Sequence, residues 1–425
     1  MLPSPWSLGF VLAVAAGAML VPGCRPQDGP SGPSESLDVS SPQFSSSRVI
    51  PDQYIVVFKS SLPDPAAQAR ALVAQHGGTL RFTYTSAIKG FAADLPGTAL
   101  EALRRNPNVA YVAPDAEVQL LDTQISPPSW GLDRVDQRTL PLSASYSWGT
   151  SGAGVSVYII DTGIRTTHQD FGGRAVWDFN AVQGKQPDTD CNGHGTHVAG
   201  TIGGTTYGVA KAVTLHAVKV LDCAGSGRWS GVIAGIDWVT AHAAQPAVVN
   251  MSIGGDYNQA VNDAVAGSVA SGITYSLAAG NSSTDACTVS PASEPTALTV
   301  GASTKLDARA SYSNIGPCVD LFAPGSFILS DWNTSDTEAV YLSGTSMATP
   351  HVTGAAALYL ETHPAALPAA VASHLLAAAT RDRVTDVGTG SPNLLLFIGD
   401  SASTQSPSSG GGSCLPSKPW SKNCK

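Results

Sequence analysis

From Trp130 to about Ile398 the chain repeats one pattern: a short apolar run, then a longer Ala- and Gly-rich stretch with helical spacing. Residues 155–160, 214–220, 247–251, 273–278 and 297–300 are the apolar runs, and 230–242 and 260–271 are among the helical stretches. Such runs read as strands buried on both faces. Strands of this kind alternating with helices predict an α/β fold, a doubly wound, mostly parallel sheet covered on both sides. In that architecture reactive residues gather at the C-terminal ends of strands. Asp161 stands there, directly after 155–160.

A smaller unit precedes this one. Residues 54–58 read as a strand, and 65–76 as a helix stopped by Gly77-Gly78, since glycine just past a periodic run ends helices. Residues 79–95 read as a strand pair, 98–105 as a short helix and 109–112 as a last strand. That βαββαβ order predicts a small two-layer α/β sandwich. Residues 25–47 and the segment from 400 to 425 are rich in Ser and Gly and read as linkers, the second ending in a short Cys-bounded tail.

The N-terminus reads as an export signal over 1–24. The apolar stretch 8–20 is short for a membrane span and fits a signal's central region, although no Lys or Arg precedes it. Seven cysteines follow from the sequence, and Cys24 closes the signal in Leu20-Val21-Pro22-Gly23-Cys24. That has the form of a lipoprotein processing site apart from Pro22, so a precursor tethered through Cys24 and an untethered one both stay open. The other six, Cys191, Cys223, Cys287, Cys318, Cys414 and Cys424, make an even set, which in an exported chain suggests disulfides rather than buried thiols. A formal charge of −9 without a long basic run argues against a nucleic-acid partner.

Three short motifs carry the chemistry. Asp161-Thr162-Gly163 follows a strand, Gly193-His194-Gly195-Thr196-His197 precedes a small-residue helix, and Gly344-Thr345-Ser346-Met347-Ala348-Thr349-Pro350 opens another. Each has an ordinary reading: a strand-end turn, a pair of metal-ligating histidines, and a serine helix cap. No His-Glu-x-x-His motif supports zinc. Their joint occurrence in the order Asp, His, Ser points instead to a serine nucleophile with a base and an orienting carboxylate. Esterases and lipases of the α/β-hydrolase type run Ser, Asp, His and use Gly-x-Ser-x-Gly, whereas Ala348 stands two after Ser346.

These motifs resemble those of the subtilisin-like serine proteases, within them the proteinase K group and aqualysin-like exported proteases. Further carriers are Trp130-Gly131-Leu132-Asp133-Arg134, Tyr207-Gly208-Val209-Ala210, Asn250-Met251-Ser252 and Ala278-Ala279-Gly280-Asn281. The resemblance implies that Ser346 is the nucleophile, His194 its base, Asp161 the partner of His194, and Asn281 an oxyanion donor. It implies that Gly225, Ser226, Gly227 and Ser252, Ile253, Gly254 flank the substrate strand, with Ala278, Ala279 and Gly280 as a wall of the P1 pocket. Small uncharged walls there suit apolar or aromatic side chains.

The resemblance also implies structural Ca²⁺. One site would use Pro295, Ala297 and Asp320; a second would use Asp133, Asp136, Gln137 and Ser143. Oxygen-only donor sets suit that ion, although the second group also reads as a solvated charged turn. Implied disulfides are Cys191–Cys223 and Cys287–Cys318, which leaves Cys414 and Cys424 as a pair by elimination.

The smaller unit resembles the inhibitory propeptide of such proteases. The expected domains are then the signal 1–24, the linker 25–47, the propeptide 48–121, the catalytic domain 122–399 and the tail 400–425. Val118-Gln119-Leu120-Leu121-Asp122 lies at the expected junction, so self-cleavage after Leu120 or Leu121 is expected to release a secreted, monomeric enzyme free of any tether. Its partners are protein and peptide substrates and its own propeptide. A catalytically dead scaffold would lack a triad residue or the oxyanion donor, and none is missing; an esterase is disfavoured by motif order and by the propeptide.

Overall fold

The computed structural model describes residues 49–116, 122–182 and 188–399. The proposed export signal, Cys24, the Leu120–Leu121 junction, Cys414 and Cys424 lie outside them.

The N-terminal unit is a four-stranded antiparallel sheet covered by helices. Val49–Phe58 lies between Gly90–Asp94 and Val109–Ala116, with Thr79–Tyr84 at the edge beside Gly90–Asp94. Helices Pro65–Gln75 and Leu100–Arg105 close its core around Val56, Phe91, Leu72 and Leu103. The predicted order of elements is found. The second helix begins later than the spacing suggests, because Gly97–Ala99 forms a 3₁₀ turn first.

The larger unit is built on a nine-stranded sheet. Its spatial order is Ala175–Asn180, Thr214–Lys219, Ser156–Asp161, Ala247–Met251, Thr274–Ala278, Leu298–Ser303, Leu321–Pro324, Leu394–Leu395 and Thr380–Arg381. All neighbours are parallel except the last pair. Alternate residues of one strand feed opposite faces. Val157 and Ile159 pack under helices His194–Gly203 and Thr345–Thr362, while Tyr158 and Ile160 pack under Trp229–His242 and Gln259–Ala270. Helix Thr345–Thr362 is buried almost all round, and its small residues allow that: a Cβ on Gly354 would come within 2.6 Å of Val209.

The strand Ser156–Asp161 is the first of this sheet in sequence; the chain then adds the edge strand Ala175–Asn180 and fills in Thr214–Lys219 on one side before returning to build the other from Ala247–Met251. The order reverses between Ser156–Asp161 and Ala247–Met251. A crevice opens at such a reversal, beyond the strands' carboxyl ends, and that is where Asp161 and Ser252 emerge. Ala175–Asn180 and Leu321–Pro324 are strands that the apolar pattern alone did not reveal. The first is an edge strand carrying Trp177 and Asp178, and the second spans four residues and ends in proline.

Candidate active site

Asp161 ends its strand fully buried. Its Oδ1 accepts from the Thr162 N–H at 2.7 Å, and both its oxygens meet His194 Nδ1, at 2.8 and 3.0 Å. Because a carboxylate only accepts, Nδ1 must carry the proton, which leaves Nε2 bare to act as a base. The His194 side chain is 25 % exposed. Burial pulls its basicity down, but the charge and hydrogen bond of Asp161, with help from Asp190, outweigh that and the pKa is raised.

His194 is the first residue of its helix, and the backbone before it is built for the position. Gly193 has φ 111°, and a Cβ there would come within 2.5 Å of the Trp332 ring. Asp190, which the motif reading did not single out, holds this turn. Its Oδ1 accepts from Thr162 Oγ1, Asn192 N–H and Gly193 N–H, and its Oδ2 from the Thr196 N–H and hydroxyl, all at 2.7–3.0 Å. A carboxylate also complements the positive end of the helix dipole. The signal for it in the sequence is an acidic residue placed just ahead of a helix start. Lys219, also fully buried, donates to the Thr162 carbonyl.

Ser346 is the second residue of helix Thr345–Thr362, and Gly344 occupies the cap position. The ordinary reading of Ser346 as a helix cap therefore does not hold. Pro350 lies inside this helix. Proline has no N–H, so the carbonyl four residues earlier, that of Ser346, loses its helical donor. Ser252 Oγ supplies the replacement at 2.9 Å. Asn250 Nδ2 donates to Ser252 Oγ at 2.9 Å, and Thr353 Oγ1 donates to Asn250 Oδ1 at 2.8 Å. Ser346 Oγ donates to the Ser252 carbonyl at 3.1 Å, and no Ser346–His194 hydrogen bond occurs among the described residues.

Asn281 sits beside this helix start. Its Oδ1 accepts from the Thr345 N–H at 2.8 Å and the Thr345 hydroxyl at 2.9 Å. Anchoring the oxygen turns the amide so that Nδ2 is its outward end; a Cβ on Gly344 would stand 3.4 Å from that nitrogen.

Two cavities meet at this point. The larger, about 520 Å³, is lined by His194, Leu221, Trp229, the segments 225–227 and 252–255, and neighbours. The smaller, about 270 Å³, is lined by Ser346, Asn281, Ala278, Gly280, Val289 and again 252–255. The predicted residues Gly225, Ser226, Gly227, Ser252, Ile253 and Gly254 thus border a groove, and Ala278 and Gly280 border the adjoining pocket. Ala279 does not line it; its side chain is buried in the core with Phe322.

His197 has a structural part instead. It is fully buried, its Nε2 faces the carbonyls of Ile328 and Val340 at 3.0 and 3.2 Å, and burial, reinforced by His194, pushes its pKa down to about 3. Asp133, Asp136, Gln137 and Ser143 do come together. Asp133 accepts from Ser143 N–H and Oγ and from Ala144 N–H, and Gln137 Oε1 accepts from Ser143 N–H. Asp136 Oδ1 is buried with no partner, and burial, partly offset by the Ser147 N–H and reinforced by Asp133, raises the pKa to about 7. Asp320 accepts from the Thr299 N–H at 2.7 Å, next to Ala297. No group of three or more His, Cys, Asp or Glu suited to a metal occurs among the described residues, so a cation at either place would rely on carbonyl and amide oxygens as well.

Both disulfides that the resemblance implies are present, Cys191–Cys223 and Cys287–Cys318. The first joins the His194 turn to the groove segment around Gly225. No helix among the described residues is long and apolar enough to cross a membrane.

The Subtilase family of peptidases matches residues 152–399, and the Peptidase inhibitor I9 family matches 53–121. An extracellular serine proteinase of Thermus sp. (strain Rt41A) is 48 % identical over 412 residues, covering 92 % of this chain and 98 % of that one. The alkaline serine exoprotease A of Vibrio alginolyticus is 47 % identical over 363 residues, covering 82 % of this chain and 67 % of that protein. Among solved structures, a cold adapted subtilisin-like serine proteinase is 51 % identical, with a TM-score of 0.62 over 63 % of this chain and 97 % of that one. With the parallel sheet, the paired Asp161 and His194 and the crevice at Ser346, these matches identify the chain as a serine proteinase of the subtilase family, preceded by an inhibitor segment of the I9 type.

Proposed function

We propose that the protein is an exported endopeptidase of broad specificity that acts through Asp161, His194 and Ser346. The observation that carries this is the Asp161–His194 pair, bonded by Nδ1 alone, beside a serine that borders the same groove. A turn about χ1 of Ser346 would exchange the Ser252 carbonyl for His194 Nε2, and catalytic hydrogen bonds are often made only once substrate is bound. His194 would take the serine proton as Oγ attacks the peptide carbonyl, then give it to the leaving amine, and water would release the acyl-enzyme. Asn281 Nδ2 and the Ser346 N–H would receive the oxyanion. The edges 225–227 and 252–254 would pair with an extended substrate backbone, which demands little of its sequence. Apolar and aromatic P1 side chains fit the walls formed by Ala278, Val289 and Ile253.

The I9 segment supports a zymogen that cuts itself after Leu120 or Leu121 and is released as a monomer. Ca²⁺ fits the oxygen-rich cluster at Asp133, Asp136, Gln137 and Ser143, where Asp136 has an orphaned buried oxygen, and a second ion fits Pro295, Ala297 and Asp320. Bound there, it would cross-link loops and take no part in the reaction.

Casein digestion by the wild type and by Ser346→Ala tests the mechanism. The variant is expected to be inert and to remain an intact precursor; equal digestion by both would refute it.

A further inference from the structure

The pocket beside Ser346 contains one charged side chain. Of the residues lining that cavity, Asp256 alone is charged. It belongs to the two-residue strand Gly255–Asp256, which pairs antiparallel with Val289–Ser290 so that Asp256 lies opposite Val289. Residues directly opposite on antiparallel strands project from the same face. Val289 lines the cavity too, so the Asp256 side chain shares the cavity face. Ser290, opposite Gly255, turns away: it is buried, and its hydroxyl is engaged with the backbone of Asn258. The Asp256 side chain takes part in no hydrogen bond or ion pair among the described residues, and it stands exposed.

From this placement we infer that Asp256 is a specificity residue that admits a Lys or Arg side chain to the pocket, alongside the apolar ones that its walls accept. The inference rests on the reading of Ser346 as nucleophile and of this cavity as the P1 pocket. Long cationic side chains are apolar along their stems and charged only at the tip. The stem would lie against Ile253, Ala278 and Val289, and the tip would reach the unpaired carboxylate. Uncharged walls alone would leave that tip without a partner. The same carboxylate disfavours Glu or Asp at P1, since like charges oppose one another across a binding surface.

The test is a set of peptide substrates that differ only at P1, carrying Lys, Leu, Gln or Glu. The readout is a ratio of kcat/KM values within one enzyme preparation, so a general change in activity does not enter. In Asp256→Asn the Lys-to-Leu ratio is expected to fall about three- to fivefold, the size of an exposed charge pair, and the Glu-to-Gln ratio to rise by a similar factor. Raising the salt concentration should narrow the wild-type Lys-to-Leu ratio and leave that of the variant in place. Asp256→Ser gives the same comparison with a shorter side chain. Unchanged ratios in both variants would overturn the assignment of Asp256 while leaving the protease reading intact. If Ser346→Ala cleaved every peptide as fast as the wild type, the protease reading itself would fall.

Discussion

Ser252 and Ser346 are joined by two hydrogen bonds that run in opposite directions: Ser252 Oγ donates to the Ser346 carbonyl at 2.9 Å, and Ser346 Oγ donates to the Ser252 carbonyl at 3.1 Å. The first exists because Pro350 cannot supply a helical donor. The second holds the serine hydroxyl on the groove wall. Asn250 directs the first bond, since by donating to Ser252 Oγ it leaves the Ser252 proton for the Ser346 carbonyl. Ser252→Ala should therefore strand a carbonyl and cost about 1–2 kcal/mol. Denaturant unfolding in a Ser346→Ala background, which prevents self-digestion, measures it; an unchanged midpoint would show that water replaces the hydroxyl.

Asn281→Leu is expected to lower kcat by about 10²–10³-fold, the usual effect of removing one oxyanion donor, with KM little altered. Its Oδ1 is already committed to Thr345, so its amide nitrogen is the group free for substrate. A raised KM at constant kcat would instead assign Asn281 to ground-state binding.

The acid limb of kcat/KM should lie above the ordinary histidine pKa of about 6.5. Burial lowers the basicity of His194, and Asp161 and then Asp190 raise it by more. The base works only when neutral, so activity is lost as pH falls through the raised value. Asp161→Asn should move that limb to lower pH and cut kcat by about 10⁴-fold. A pH–rate profile with an unmoved limb in that variant would remove His194 from its role.

Alkaline stability should depend on Asp331. This residue is fully buried, no N–H or hydroxyl donor reaches either of its oxygens, and His168 Nδ1 lies 3.5 Å away. Burial, together with the neighbouring Asp170 carboxyl and against some relief from Arg174, raises its pKa to about 9. The folded state thus holds a proton that the unfolded chain would release near 3.8. Stability is full below the unfolded pKa and is lost as pH rises toward and through 9. Asp331→Asn, which keeps shape without charge, should melt about 2–4 °C above the parent at pH 10, the equivalent of about 1 kcal/mol in a domain of this size. Equal melting at that pH would contradict it.

Removing calcium should lower the melting temperature of the mature enzyme by about 5 °C or more, since an ion bound only to the folded state stabilises it by mass action. Asp136→Asn is expected to abolish part of that dependence. A melt indifferent to chelator would argue against both proposed sites.

Much of the fold was legible because its strands are buried on both faces and its helices are rich in small residues. Asp161 could be placed at a strand end from the apolar run before it. The edge strand Ala175–Asn180 was not legible, since a half-buried strand with Trp177 and Asp178 resembles a loop in composition. The part Asp190 plays was hidden for another reason, and so was the bond from Ser252 to Ser346, although Ser252 itself was expected beside the substrate strand. Each is a matter of hydrogen bonding across the sheet, to Thr162 and to Ser346, and nothing in local spacing reports contacts between such distant positions. Ala279 shows the reverse error: its neighbours Ala278 and Gly280 face the pocket, and alternation along the chain turns it into the core.

The reversal of strand order also bears on synthesis. Asp161 and His194 belong to the part of the sheet made first, whereas Ser346 and Asn281 belong to the part added from Ala247–Met251 onward. On the proposed roles, a chain emerging from the ribosome therefore carries an acid–base pair with no nucleophile until its later half is made.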